Sequence, residues 1–167
     1  LWWVNLVRVF VLGIDPGLTT TGYGVMQDRP LAAIGAGVIH TDPDLATGDR
    51  LAELFRRLGE VISEHQPQVM AIEQVFTNLN LQTAVAVGRA SGVAILAAAL
   101  ADLPVFEYTP TTVKATVTGN GGADKKAVAS MLARRLRLSS PPSPADAADA
   151  LAVALCHIQT ARIGASR

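Results

Sequence analysis

Four carboxylates stand where a compact fold can bring side chains together: Asp15, Glu73, Asp146 and Asp149. Asp15 ends the apolar run from Arg8 to Ile14 and is followed at once by Pro16-Gly17. Glu73 ends a second run, Val69-Met70-Ala71-Ile72. Asp146 and Asp149 lie three apart in an alanine-rich helical stretch, so they share one helix face. One acid at a strand end means little, but four that converge form an all-oxygen site for divalent cations. Magnesium prefers oxygen ligands and retains waters, so no Cys or His cluster is required. Each acid also has a plain structural reading. Ser143-Pro144-Ala145-Asp146 has the form of a capping box with proline at the first helical position, and Asp149 could serve the helix macrodipole. Asp15-Pro16-Gly17 could be only a turn, and Glu73 a satisfied strand-end acid.

The elements that must position these acids follow from hydrophobic periodicity. Residues 8 to 15 are apolar and β-branched, as in a buried central strand, and Gly13 permits close approach beside the site. Residues 21 to 27 and 32 to 40 read as two further strands around a turn at Asp28-Arg29-Pro30, giving an antiparallel meander. Leu51, Leu54, Phe55, Leu58, Val61 and Ile62 recur at three and four residues, which predicts an amphipathic helix over 47 to 65, stopped by Pro67. A strand at 68 to 73, a helix at 80 to 101 and a strand at 105 to 108 follow, and their alternation implies right-handed parallel crossovers. Two more helices, 123 to 137 and 144 to 161, flank the Ser139 to Pro144 break. The order β-β-β-α-β-α-β-α-α is that of an α/β, ribonuclease H-like fold: a five-stranded mixed sheet flanked by helices. Such a sheet sets the carboxyl ends of strands one and four side by side, where the last helix brings its first turn to them.

The 167 residues, half of them apolar, suit a single domain over 1–167, with an N-terminal extension at 1–7 and a flexible tail at 162–167. No uncharged run reaches the roughly 18 residues of a membrane span, so a soluble protein without membrane attachment is expected. Arg8 interrupts the apolar start and no small-residue cleavage site follows, which argues against a secretory signal. Cys156, the only cysteine, reads as a buried core thiol and suits a reducing cytoplasm. Net charge is zero, yet residues up to Val113 carry 6 bases and 11 acids, and those from Lys114 onward 8 bases and 3 acids. With the site acids neutralised by cations, the remaining surface favours a phosphate backbone, although the charges of residues 125 to 137 could equally be a solvated helix face. The helix at 80 to 101 is apolar nearly all round, and Gly88 and Gly92 admit a close neighbour. A homodimer through this helix is one resolution, and full burial within one subunit the other.

Four segments together carry a resemblance: Leu12-Gly13-Ile14-Asp15-Pro16-Gly17 with Thr21-Gly22-Tyr23-Gly24-Val25, Ala71-Ile72-Glu73-Gln74-Val75-Phe76, Pro104-Val105-Phe106-Glu107-Tyr108, and Ala145-Asp146-Ala147-Ala148-Asp149-Ala150-Leu151-Ala152. Over about residues 8 to 160 the chain resembles the RuvC family of crossover junction endodeoxyribonucleases. The resemblance implies a homodimer that binds a four-way DNA junction and nicks two strands of like polarity, leaving 5′-phosphate and 3′-hydroxyl ends. It further implies a role in recombination and repair, cooperation with the RuvA–RuvB branch-migration complex, and dependence on Mg²⁺, two ions per site, with Mn²⁺ as a substitute. Asp15 would bridge the two ions about 3.5–4 Å apart, with Glu73, Asp146 and Asp149 completing their shells. Some relatives have His at the position of Asp146.

The same resemblance assigns Phe76 to stacking on an unpaired base, and Lys114 and Lys125 to the scissile phosphate as catalytic and DNA-binding groups. Asn80, Arg89, Lys126 and Arg134 are further candidate DNA contacts, with solvated surface as the alternative. Gly119-Asn120-Gly121-Gly122 reads as a flexible loop presenting Lys125 at a helix start, and His157 as structural. Competing readings are a YqgF-type nuclease of the same fold and a junction-binding protein without catalysis. An actin-like ATPase shares the Gly-Ile-Asp strand with following threonines, but needs a second lobe for which the length leaves no room.

Overall fold

The computed structural model describes residues 8–74 and 80–165, with side chains as far as residue 161. The N-terminal extension expected at 1–7 and Phe76 therefore lie outside the described residues. Strands β1 (Phe10–Asp15), β2 (Thr20–Asp28) and β3 (Leu31–His40) form the meander. The chain continues as α1 (Thr47–His65), β4 (Val69–Glu73), α2 (Leu81–Leu100), β5 (Val105–Tyr108), α3 (Pro110–Thr118), α4 (Lys125–Leu136) and α5 (Ala145–Ala165). The sheet order is β3-β2-β1-β4-β5, with β4 parallel to both β1 and β5. This is the five-stranded mixed sheet expected from the element order.

The sheet separates two cores, and strand alternation decides which residue joins which. Leu12, Ile14, Met70 and Ile72 face α1 and α2, where Leu54, Leu58, Ala90, Ala94 and Ala98 meet them. Val11, Val69 and Ala71 face α5, with Val113, Val117, Val128 and Leu132 of α3 and α4 in the same cluster. The alternation carries Asp15 and Glu73 to the α5 side of the sheet. Ile14 pairs with Ile72 across the parallel ladder, so the two acids leave neighbouring strands at the same level.

Against this face α5 lies unusually low. A Cβ at Gly13 would stand 2.1 Å from the Ala150 carbonyl oxygen, and one at Gly22 2.0 Å from that of Asp146. Helix backbone thus rests on strand backbone, and the alanines of α5 keep its other faces narrow. From Ala150 to Cys156 every side chain of α5 is buried, because α3 and α4 cover the surface turned away from the sheet. Cys156 is accordingly a buried free thiol, as expected.

Helix α3 was not expected. Its signals are short: Thr109 caps it by accepting from the Thr112 amide at 3.1 Å, Pro110 begins it, and Val113 and Val117 face the core one turn apart. Nine residues give too little periodicity to stand out beside the apolar helices. The following loop is also more ordered than its glycines suggest. Gly119 ends α3 in the left-handed region (φ 83°), Asn120 Oδ1 accepts from the Gly122 amide, and the Asn120 amide donates to Thr118 Oγ1. At the far end α5 continues to Ala165, so residues 162 to 165, expected in a tail, are helical.

By length and composition α2 could cross a membrane. Its Ala90, Ala94, Ala97 and Ala98 are nevertheless built into the core, which is the placement of a docked helix.

The contact of α5 with β2 predicts that Gly22→Ala destabilises the fold by about 3 kcal/mol or more, since backbone rather than a pliable side chain occupies the space. Gly59→Ala on α1, where the added methyl meets nothing within 4 Å, should instead stabilise it by about 1 kcal/mol. Urea unfolding of both variants checks this; similar midpoints would show that α5 does not need the glycine.

Candidate active site

The first turn of α5 completes what the strand ends begin. Ligand oxygens of Asp15, Asp146 and Asp149 all lie within 4.8 Å of one another, and each of these residues is half-buried. Glu73 lies outside this tight trio but opens on the same cleft. That cleft, about 170 Å³, is lined by Asp15, Glu73 and Asp149 with Lys114 of α3 and Lys125 of α4. Pro110, Val113, Val128 and Ala152 make its apolar wall. All four acids expected at the site therefore occupy one region, and the charges of Glu73, Asp149 and Asp146 all act on Asp15.

Local hydrogen bonds hold the turn that carries Asp15. The Thr21 hydroxyl donates to the Gly17 carbonyl at 2.6 Å and accepts from the Gly17 amide at 3.3 Å. Thr41 donates to the Leu18 carbonyl at 2.6 Å, and Arg50 donates to the hydroxyls of both Thr19 and Thr41. Asp15-Pro16-Gly17 is a turn, as its plain reading held, but one fastened from three elements. Sequence reasoning missed Thr21 and Arg50; a threonine four residues after the glycine was the available signal.

At the other edge, Asp124 caps α4 by accepting from the Ala127 amide at 2.7 Å, which makes Lys125 its first residue. Lys125 Nζ donates to Asp149 Oδ2 at 2.6 Å. Among the described residues Lys114 makes no such ion pair. The proposed capping box at α5 is not seen: the Pro144 carbonyl, one residue before the helix, accepts from the Ala147 and Ala148 amides. Asp146 is thereby left to the acidic trio.

Burial pushes the Asp15 carboxyl up to about 7, helped by the neighbouring charges of Glu73, Asp149 and Asp146 and opposed by Lys125. Burial and Asp149 raise Glu73 in the same way, against Lys125 and Lys114. Such a cluster holds more negative charge than its surroundings satisfy. The donor set is entirely carboxylate oxygen, and positive charge placed among these acids would favour the ionised form of Asp15. Hard divalent cations fit these residues.

The remaining candidates are scattered. Asn80 caps α2, accepting from the Thr83 amide at 2.9 Å, which gives it a structural task. Arg89 is exposed on α2 and, with Arg50, Leu18 and Leu81, lines a separate groove of about 530 Å³. Lys126 and Arg134 are exposed on α4 and do not line the acidic cleft. His157 is structural, as expected: its Nδ1 pairs with the Tyr108 hydroxyl at 2.8 Å and its ring lies 4.7 Å from that of Phe106, joining α5 to β5.

Sheet and acidic centre together define an α/β protein of the ribonuclease H-like class. Residues 11–157 match the family model described as crossover junction endodeoxyribonuclease RuvC. The crossover junction endodeoxyribonuclease RuvC of Salinispora arenicola is 52% identical over 151 residues, covering 89% of this chain and 86% of that protein. The structure of Thermus thermophilus RuvC superposes with a TM-score of 0.86 at 35% identity, covering 93% of this chain and 97% of that one. The same protein in complex with Holliday junction substrate gives 0.85 at 35% identity, covering 93% and 96%. The chain belongs to the RuvC family.

The raised Asp15 sets a pH dependence. Its carboxyl titrates near 4 when unfolded and about 7 when folded, so the folded state holds the proton more tightly. The associated stability is full below about pH 4 and is lost as pH rises through 7. In chelator, Asp15→Asn should therefore gain on wild type by about 2–4 kcal/mol between pH 4 and pH 8. Denaturant unfolding at both values decides it, and an equal difference at the two would remove the charge strain from the site.

Proposed function

We infer that this protein is a Holliday junction resolvase, an endodeoxyribonuclease that nicks two strands of like polarity in a four-way junction during recombination and repair. The observation that carries the reading is the convergence of Asp15, Glu73, Asp146 and Asp149 from two parallel strand ends and one helix turn. Family membership supports it, as does the solved complex of the Thermus relative with its junction.

In this reading the four acids hold Mg²⁺, two ions per site, with Mn²⁺ as an alternative. When bound, the ions supply an activated water and stabilise charge on the leaving oxygen. The chain's own residues do the rest. Asp15, on its fastened turn, and Glu73, at the strand end, keep their oxygens in place. Lys114 of α3 and Lys125 of α4, both lining the cleft, bring positive charge to the phosphate. Pro110, Val113, Val128 and Ala152 limit solvent on the remaining side. Phe76 stacks on an unpaired base, and Arg89, Lys126 and, beyond its capping role, Asn80 contact the backbone. Single nicks leave 5′-phosphate and 3′-hydroxyl ends.

Paired cuts require two sites, and α2 supplies a means. Leu81, Val85, Gly88, Gly92, Leu96 and Leu100 follow helical spacing along one exposed face, opposite the buried Ala90, Ala94 and Ala98. A methyl added at Gly88 or Gly92 meets nothing within 4 Å, so a second helix can approach closely. A two-fold dimer buries this stripe. The RuvA–RuvB complex is the expected partner on the junction, and the cytoplasm the compartment.

On a synthetic four-way junction with Mg²⁺, wild type should give symmetric paired nicks that vanish in chelator. Asp15→Asn and Glu73→Gln should each cut at least about 100-fold more slowly while still binding the junction. Binding by wild type without nicks in Mg²⁺ or Mn²⁺ would leave a junction-binding protein instead. Leu96→Asp should sediment as a monomer at concentrations where wild type is dimeric, and should lose the pairing of cuts; an unchanged dimer would move the interface elsewhere.

A further inference from the structure

We propose that Lys125 is an internal counter-ion that competes with a divalent cation for Asp149, and that handing Lys125 over to the DNA phosphate couples metal binding to substrate binding. The proposal rests on the reading that the acidic centre holds divalent cations. It adds a positioning task for Lys125 that a phosphate contact alone does not contain.

The geometry is specific to one of the two cleft lysines. Lys125 Nζ stands 2.6 Å from Asp149 Oδ2, and Asp149 is one of the three acids whose oxygens lie within 4.8 Å of one another. A magnesium ion binds carboxylate oxygen at about 2.0–2.1 Å. An ammonium and a divalent ion on one carboxylate of so small a cluster repel each other at a few ångströms, so each weakens the other's hold. Lys114 lines the same cleft and its charge acts on Glu73, but among the described residues it makes no ion pair that a cation would have to displace.

Lys125 is also free to leave. Its side chain is 75% exposed against 21% for Asp149, so its stem is not packed into the wall. It springs from the first residue of α4, where the Asp124 cap fixes the backbone and leaves the side chain to swing. A phosphate in the cleft offers an alternative anion within reach. Phosphate then removes the competitor from Asp149, and the cation removes the competitor from Lys125. Each ligand must raise the affinity for the other by the same factor. Without DNA the enzyme holds its cations weakly; on a correctly placed phosphate it holds them firmly.

The test measures metal affinity directly, in the absence of DNA. Wild type, Lys125→Met and Lys125→Arg are titrated with Mn²⁺ alone while the free ion is followed by electron paramagnetic resonance. Lys125→Met should bind Mn²⁺ about tenfold more tightly than wild type, and Lys125→Arg, which keeps the charge, should stay within about twofold of it. In the unaltered protein the side-chain carbon resonance next to the Lys125 ammonium should shift on addition of Mg²⁺, and that of Lys126 should stay still. This second measurement stands even if a variant fails to fold. Equal or weaker Mn²⁺ binding by Lys125→Met, or a Lys125 resonance that does not move, overturns the competition while leaving the metal site intact. No Mn²⁺ binding by wild type overturns the metal site itself, and the competition with it.

Discussion

Everything in this molecule that bears on chemistry depends on how closely α5 can lie on the sheet. Packed layers of secondary structure normally keep a layer of side chains between them. Here Gly13 and Gly22 remove one side of that layer, and helix carbonyls stand where their Cβ atoms would be. The gain is one of reach. An aspartate side chain is short, and only a helix this low lets Asp146 and Asp149 meet Asp15 from across the layer. The small residues of β1, β2 and α5 are thus part of the site, although none carries a reactive group.

A site built in this way works against the fold that holds it. Bringing Asp149, Asp146 and Glu73 around a carboxyl that is already desolvated raises Asp15 to about 7. The surroundings absorb that cost in several ways. Two apolar cores sandwich the sheet, hydroxyls fasten the Gly17 turn, and Lys125 places an ammonium against Asp149. None of these neutralises the cluster fully, and the residual negative charge is what makes it receptive to cations. Strain of this kind is the usual relation between stability and activity at a site.

How much of this was legible in the sequence differs by element. Strands β1 and β4 announced themselves through unbroken apolar runs, and parity along those runs sends Asp15 and Glu73 to a common face. The pair in α5 followed from spacing alone, and Gly13 was recognised as a point of close approach. Helix α3 escaped because nine residues with two buried valines barely exceed one amphipathic repeat. The ion pair of Lys125 with Asp149 spans 24 positions between two helices, a distance over which local pattern is silent. The fastening of the Asp15 turn by Thr21 and Arg50 was hidden for the same reason: hydroxyls and guanidinium groups have many partners, and only the assembled backbone selects among them. The capping task of Asn80 was not legible either, since a polar residue before an apolar stretch reads equally as surface or as a cap.

The two faces of the sheet divide the work. On the α5 side, glycines let helix backbone rest on strand backbone beside the acids, so a change at those contacts is felt at the site. On the other, α1 and α2 meet the sheet through ordinary Leu, Ile and Ala packing, and α2 keeps an apolar stripe turned outward. A helix that served only the core would have no reason to carry Leu81, Leu96 and Leu100 in water, with exposures of 81%, 51% and 67%. That stripe lies on the face that does not hold the acids, so substitutions along it leave Asp15 and Asp149 in place relative to each other. Yet both faces share β1 and β4, whose residues alternate between them. The outward stripe of α2 is therefore linked to the acidic centre only through the residues of these two strands, which set Asp15 and Glu73 from one face and pack α2 from the other.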